Sequence, residues 1–168
     1  MKKHEKHSMM GNPVTLHGEQ LEVGDKAPDF TALNNDLEPV SLADTQGVRI
    51  ISVVPSLDTE VCQQQTIRFN EEAQKLDDVE VLTVSMDLPF AQSRFDETYS
   101  VGNCTLLSDH KDVDFGKKYG YLMEELRLLN RGVVVIDKDG VIQHIEYVEE
   151  NTNHPDYDKA LAKTKELV

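Results

Sequence analysis

The chain has no tryptophan, only two cysteines, and no apolar run longer than Val133 to Ile136. Four residues fall far short of a membrane span. Two cysteines cannot build a Cys-rich four-ligand zinc site. They are not arranged as C-x-x-C, which excludes a dithiol exchange site of that kind. Cationic residues are also scarce: 17 Lys and Arg stand against 31 Asp and Glu, a formal net charge of −14. Nucleic acid and anionic membranes need cationic surface, so neither is expected as a partner. Residues 1–10 are basic and polar and lack the apolar middle of a signal peptide. They are expected to be a disordered leader or an appended remnant on a cytoplasmic protein. His4 and His7 could pair on a metal, but a solvated tail is the reading adopted.

What is present suits one core. The chain has 168 residues, 39% of them apolar and 29% charged, enough to bury a single domain spanning 11–168. Val14 to Val23 reads as a short β-hairpin turning at Gly18. Phe30 to Leu33 is extended, and Ser41 to Asp44 is a capped helical turn. Buried strands are expected at Val48–Val54, Val79–Ser85 and Cys104–Ser108, separated by helices at about Glu60–Lys75 and from Asp87 to about Tyr99. A further helix is expected over Asp112–Tyr119. Tyr121–Leu129 can be helix or a loop draped over the site. Arg131–Asp137 and Val141–Val148 make a hairpin about Lys138-Asp139-Gly140. Pro155 opens a last helix to Leu167. The alternation predicts an α/β fold whose largely parallel sheet, with an antiparallel edge, is covered on both faces. Functional loops in such sheets lie at the carboxyl ends of the strands.

Pro55 to Cys62 sits at such an end. A thiol in the first turn of a helix tends towards thiolate, because free N–H groups and the macrodipole favour an anion there. Thr59 is three residues before Cys62, so its hydroxyl can face the sulfur. The Cys62 N–H has no intrahelical partner and can donate to a bound oxygen. Pro55 lacks an N–H and can wall the pocket. A cation must come from elsewhere. Arg131 is the first candidate, since the start of an antiparallel strand lies beside the carboxyl ends of parallel ones; Arg68 and Arg94 are the alternatives. Spacing alone leaves other readings open. Cys62 lies on the apolar stripe of its helix with Thr66, Phe69, Ala73 and Leu76, as a core cysteine would. Thr59 can be a plain helix cap, and Arg131 a surface ion-pair partner.

Pro55-Ser56-Leu57-Asp58-Thr59-Glu60-Val61-Cys62 resembles the peroxidatic motif of the peroxiredoxins, and more narrowly the bacterial thiol peroxidase subfamily. The likeness continues through Gly11–Val14, Ser85–Phe95, Leu106–Asp109 and Arg131–Asp137. It implies a thioredoxin-like fold with a central mixed sheet, helices on both faces and an N-terminal β-hairpin. It also implies a homodimer, and no metal or organic cofactor. Cys62 would attack hydrogen peroxide or an organic hydroperoxide and become a sulfenic acid. Thr59, the Cys62 amide and Arg131 would hold the peroxide oxygens, with Pro55 shielding them. A thioredoxin-like protein or a small thiol would restore Cys62. In that subfamily a resolving cysteine usually follows a triplet such as Ser93-Arg94-Phe95, where this chain has Asp96. Cys104 is then either a displaced resolving cysteine or a core residue. A missing resolving thiol also leaves open a non-enzymatic peroxide sensor or redox interaction protein.

Overall fold

The computed structural model describes residues 6–168. It opens on a hairpin that pattern does not reveal. Strand β1 (His7–Met9) pairs antiparallel with β2 (Asn12–Val14). The turn needs left-handed backbone at Met10 (φ 51°) and Gly11 (φ 80°). The expected leader is therefore corrected over its second half: His7 is buried, and its ring bonds the Val148 carbonyl at 2.9 Å. Residues 1–5, and with them the His4 part of the proposed pair, lie outside the described residues.

The expected hairpin at Gly18 does not form. Strand β3 (Leu16–His17) pairs instead with β9 (Leu122–Met123), far along the chain. Gly18 serves close packing: a Cβ there would strike the Lys117 carbonyl, and its φ is +97°. The imperfect alternation of residues 14–23 reflects a segment that buries Leu16 and then runs as irregular chain.

Then come β4 (Thr31–Leu33), β5 (Pro39–Ser41), a single 3-10 turn at Leu42–Asp44 and β6 (Val48–Val53). Helix α1 (Glu60–Lys75), β7 (Val79–Ser85), α2 (Pro89–Tyr99), β8 (Cys104–Ser108) and α3 (Asp114–Tyr119) follow. The ambiguous stretch becomes a small hairpin, β9 with β10 (Leu128–Leu129). Strands β11 (Gly132–Ile136) and β12 (Ile142–Tyr147), then helix α4 (Tyr157–Leu167), complete the chain.

The main sheet has the order β12-β11-β6-β7-β8-β4-β5. Only β6–β7 and β7–β8 are parallel; every other pairing is antiparallel. The sheet is mixed, as the resemblance implied, rather than largely parallel. The reason is connectivity. β11–β12 and β4–β5 are hairpins, whose strands must run antiparallel, and each hairpin also joins the parallel strands in the reverse sense, β11 beside β6 and β4 beside β8.

Alternation along the strands divides the core. Ile51, Val53, Leu82, Val84, Val134 and Ile136 face Phe30, Phe115 and Tyr119 on one side. Val48, Ile50, Val81, Val133 and Val135 face Phe69, Ala160 and Leu161 of α1 and α4 on the other. Full burial of a side chain such as Phe69 stabilises the fold by ~2–3 kcal/mol. Among the described residues no helix is long and apolar enough to cross a membrane.

Asp109 ties the end of β8 to α3. Its buried carboxylate accepts the N–H groups of Phe115 (3.0 Å) and Gly116 (2.8 Å). Burial pushes this carboxyl up to about 6, against those two bonds and with help from Asp114 and Asp112. A carboxyl raised on folding stabilises below its unfolded value near 3.8, and that stability is lost as pH rises through about 6. Relative to Asp109→Asn, the wild-type chain should therefore lose ~2 kcal/mol of unfolding free energy between pH 4 and 7. Urea titrations of both proteins across that range measure it.

Candidate active site

The site forms where β6 runs out. Val54 still donates to the Val84 carbonyl at 3.1 Å; Pro55, with no N–H, ends the ladder. The chain then folds over Ser56, whose carbonyl accepts both the amide (3.2 Å) and the hydroxyl (3.0 Å) of Thr59. Thr59 is the N-cap of α1, in extended backbone, and the first helical bond is from Gln63 N–H to Thr59 O at 3.0 Å. The N–H groups of Glu60, Val61 and Cys62 therefore fall in the helix turn that has no carbonyl one turn back. The Thr59 hydroxyl is donated to Ser56 rather than capping the helix, so its lone pairs are what it offers a ligand.

Cys62 is 0% exposed. Its sulfur lies 3.3 Å from Arg131 Nη2. Arg131 itself is only 2% exposed, and its guanidinium is bonded at each nitrogen: Nη1 to Gln65 Oε1 at 3.0 Å, Nε to the Asn151 carbonyl at 2.9 Å, Nη2 to the sulfur. The register explains the meeting. β11 pairs antiparallel with β6, with Gly132 opposite Val53, so the residue before Gly132 lies at the carboxyl end of β6. Gly132 permits the close approach, because a Cβ there would strike the Glu146 carbonyl and the Tyr121 ring. The alternatives do not reach the sulfur through any such contact. Arg68 is paired with Glu72 and Asp158 and lies over the Tyr157 ring, and Arg94 is exposed on α2.

A cavity of about 420 Å³ opens beside this group. Thr59, Glu60, Arg131, Asn151 and Thr152 give it polar groups; Met9, Met10, Pro55, Val61, Leu126 and Leu128 make an apolar wall. The segment that could be helix or draped loop does reach the site, through Leu126 and Leu128.

Three residues of the site escaped the sequence reading. Gln65 is one turn after Cys62, and its amide nitrogen donates to Ser52 Oγ at 2.9 Å; its place three residues on from Cys62, on the same helix face, was the available signal. Asp87 accepts from Ser56 Oγ (3.1 Å), Leu57 N–H (2.8 Å) and Ser85 Oγ (2.7 Å), so it holds the turn before Cys62 against β7. Asn151 gave no signal.

Cys104 is apart from the site. It is buried in the cluster with Val48, Phe69 and Val81, whereas Cys62 packs with Val54, Leu57, Phe95 and Leu106. The neighbouring Asn103 N–H bonds Asn70 Oδ1 at 2.9 Å. Asn70 is more than two turns below Cys62 on α1, ~12 Å of helix rise. Burial pushes the Cys104 thiol up to about 12, with Thr83 opposing and Asp96 adding to the shift. Asp96 has a job of its own: Oδ1 accepts the Val101 N–H at 3.0 Å where α2 ends in left-handed Ser100.

A buried thiol at a helix start, faced by a buried guanidinium on this mixed sheet, is an arrangement suited to thiol-based redox chemistry on a thioredoxin-like fold. Residues 23–145 match the AhpC/TSA family. The chain is 59% identical over 156 residues to the thiol peroxidase of Halalkalibacterium halodurans, covering 92% of this chain and 94% of that protein. It is 55% identical over 159 residues to the thiol peroxidase of Bacillus subtilis, covering 94% and 95%. Among solved structures it is similar to a peroxiredoxin-like protein from Aquifex aeolicus (TM-score 0.92, 41% identity, all of both chains). The thiol peroxidase from Chromobacterium violaceum shares the fold at 18% identity, with a TM-score of 0.86 over 96% of this chain and 95% of that one. The chain belongs to the AhpC/TSA family of peroxiredoxins. It is a peroxiredoxin-type thiol peroxidase, reducing peroxide at the expense of a thiol.

Asp87→Ala should free the turn before Cys62. Unpairing the Leu57 N–H and two hydroxyls should cost ~1–3 kcal/mol. In native buffer the buried Cys62 should then label faster with a chromogenic disulfide reagent than it does in the wild-type chain.

Proposed function

We propose that Cys62 is the nucleophile that attacks hydrogen peroxide and organic hydroperoxides. The observation that carries this is the 3.3 Å contact between Cys62 Sγ and Nη2 of the buried Arg131 guanidinium. The thiolate attacks one peroxide oxygen, the O–O bond breaks, and the other oxygen leaves as water or alcohol after taking a proton. Cys62 is left as sulfenic acid. Arg131 and the Cys62 amide donate to the oxygens as charge builds on the leaving one. The Thr59 hydroxyl, already donating to Ser56 O, accepts a hydrogen bond from the peroxide O–H. Pro55 walls the thiol from water. The apolar cavity supports organic hydroperoxides as substrates, since Met10, Val61, Leu126 and Leu128 can cover a hydrocarbon tail.

Recycling is assigned to an external thiol. One thiol displaces water from the sulfenic acid to give a mixed disulfide, and a second thiol reduces that to free Cys62. The reductant is a thioredoxin-like protein or a small thiol. Disulfide formation brings Cα atoms within roughly 7 Å. Cys104 could come that close only if α1 unwound, and its buried, protonated thiol is a poor nucleophile. A cytoplasmic setting suits two unpaired thiols. A homodimer is supported by the kinship and by the exposed Leu88 and Phe90 at the start of α2.

Intact mass after one equivalent of peroxide tests this. One added oxygen is expected on Cys62; loss of two hydrogens would mean that Cys104 resolves. Cys104→Ser should keep steady-state peroxide consumption with an added thiol within ~2-fold, because the lost group lies outside the reaction. Cys62→Ser should abolish it, and retained turnover would overturn the assignment.

A further inference from the structure

Two groups hold Arg131 in place without bonding the Cys62 sulfur, and one of them, Asn151, also lines the cavity. Asn151, in the loop between β12 and α4, is 1% exposed. Its side-chain oxygen accepts the Arg131 backbone N–H at 2.6 Å, and its carbonyl accepts Arg131 Nε at 2.9 Å. One residue thus grips the arginine at its root and at the base of its fork. Gln65 takes Nη1, which fixes the plane of the guanidinium and leaves Nη2 directed at the sulfur.

Asn151 is itself pinned by the N-terminal hairpin. Its backbone N–H and its Nδ2 both donate to the Ser8 carbonyl at 2.9 Å, and Nδ2 also reaches Asn130 Oδ1 at 2.7 Å. Next to it, the Glu150 carboxylate gathers Ser8 Oγ (2.9 Å), Met10 N–H (3.2 Å) and Gly11 N–H (2.7 Å), besides Thr152. Partial desolvation works against that carboxylate, yet the bonds from Thr152, Gly11 and Ser8 hold it down to about 2. The hairpin is therefore buckled to residues 150 and 151 by side chain and backbone together.

We propose that Asn151 is a positioning residue for Arg131, and that β1–β2, buckled to the chain through Ser8 and Glu150, sets where the guanidinium stands relative to Cys62. This rests on the reading of Arg131 as the cation that holds peroxide. Misplacement of a donor by about 1 Å can slow a reaction by up to ~10²-fold. Alkylation of the same thiol by iodoacetamide needs no peroxide oxygen held in place, so the two reactions separate positioning from general loosening.

The test uses full-length Asn151→Ala, Glu150→Ala and Arg131→Ala at neutral pH. Second-order rate constants with hydrogen peroxide and with iodoacetamide are read by rapid quench and intact mass, because the chain has no tryptophan to report. Asn151→Ala should lower the peroxide constant ~10-fold and change the iodoacetamide constant by less than ~2-fold. Glu150→Ala keeps every partner of Arg131 and lies at the surface, so it carries the test if Asn151→Ala fails to fold. It should shift the ratio in the same sense, by ~3-fold. An unchanged ratio in a folded Asn151→Ala protein, or in Glu150→Ala if that is the one that folds, overturns the positioning role if Arg131→Ala abolishes the peroxide reaction. A peroxide constant untouched by Arg131→Ala overturns the reading of Arg131, and the positioning role falls with it.

Discussion

A guanidinium buried beside a thiol constrains everything around it. Removing a cation from water costs several kcal/mol unless its donors are matched. Arg131 has a partner at each guanidinium nitrogen: Asn151 at Nε, Gln65 at Nη1 and the Cys62 sulfur at Nη2. The sulfur is thus part of the arginine's own solvation. With a net charge of −14 the chain offers no broad positive field, so the cation at this site has to be brought in by the fold, and Arg131 is the one that meets the sulfur.

The rest of the architecture delivers those partners to one end of one sheet. β6 carries the chain to Pro55, and α1 starts there with Cys62 in its first turn. Antiparallel β11 begins where parallel β6 ends, which places Arg131 across from the end of Val53. The small hairpin β9–β10 and the N-terminal hairpin then close over the same end and contribute the apolar wall of the cavity. Asp87 holds the turn from behind. Five segments distant in sequence therefore meet at one site.

Segments whose order is set locally were legible. The strand at β6, the helix bounds of α1, and β7 and β8 follow from runs of β-branched residues and from a 4-3-4-3 apolar stripe. Asp96 and Cys104 were noticed as types in unexpected places, but their surroundings came from packing. Asp96 closes the end of α2, and Cys104 lies two helix turns away from Cys62. The hairpin misassigned to Gly18 failed for the same reason. Leu16 finds its partner at Met123, and no window of ten residues contains that pairing.

By itself the sequence determined the place of Cys62 at a helix start, the proline and threonine beside it, and the alternation that makes an α/β sheet. These depend on short-range stereochemistry: a proline without an N–H, an N-cap, a period of 3.6 or of 2. It also singled out Arg131, by the general logic of strand direction. Only the tertiary structure decided that the arginine touches the sulfur, that Gln65 and Asn151 hold it, and that residues 7–14 belong to the fold. Those contacts join positions 20 to 143 residues apart. A hydrogen bond between such positions depends on where the whole chain places them, and no local pattern in the sequence records it.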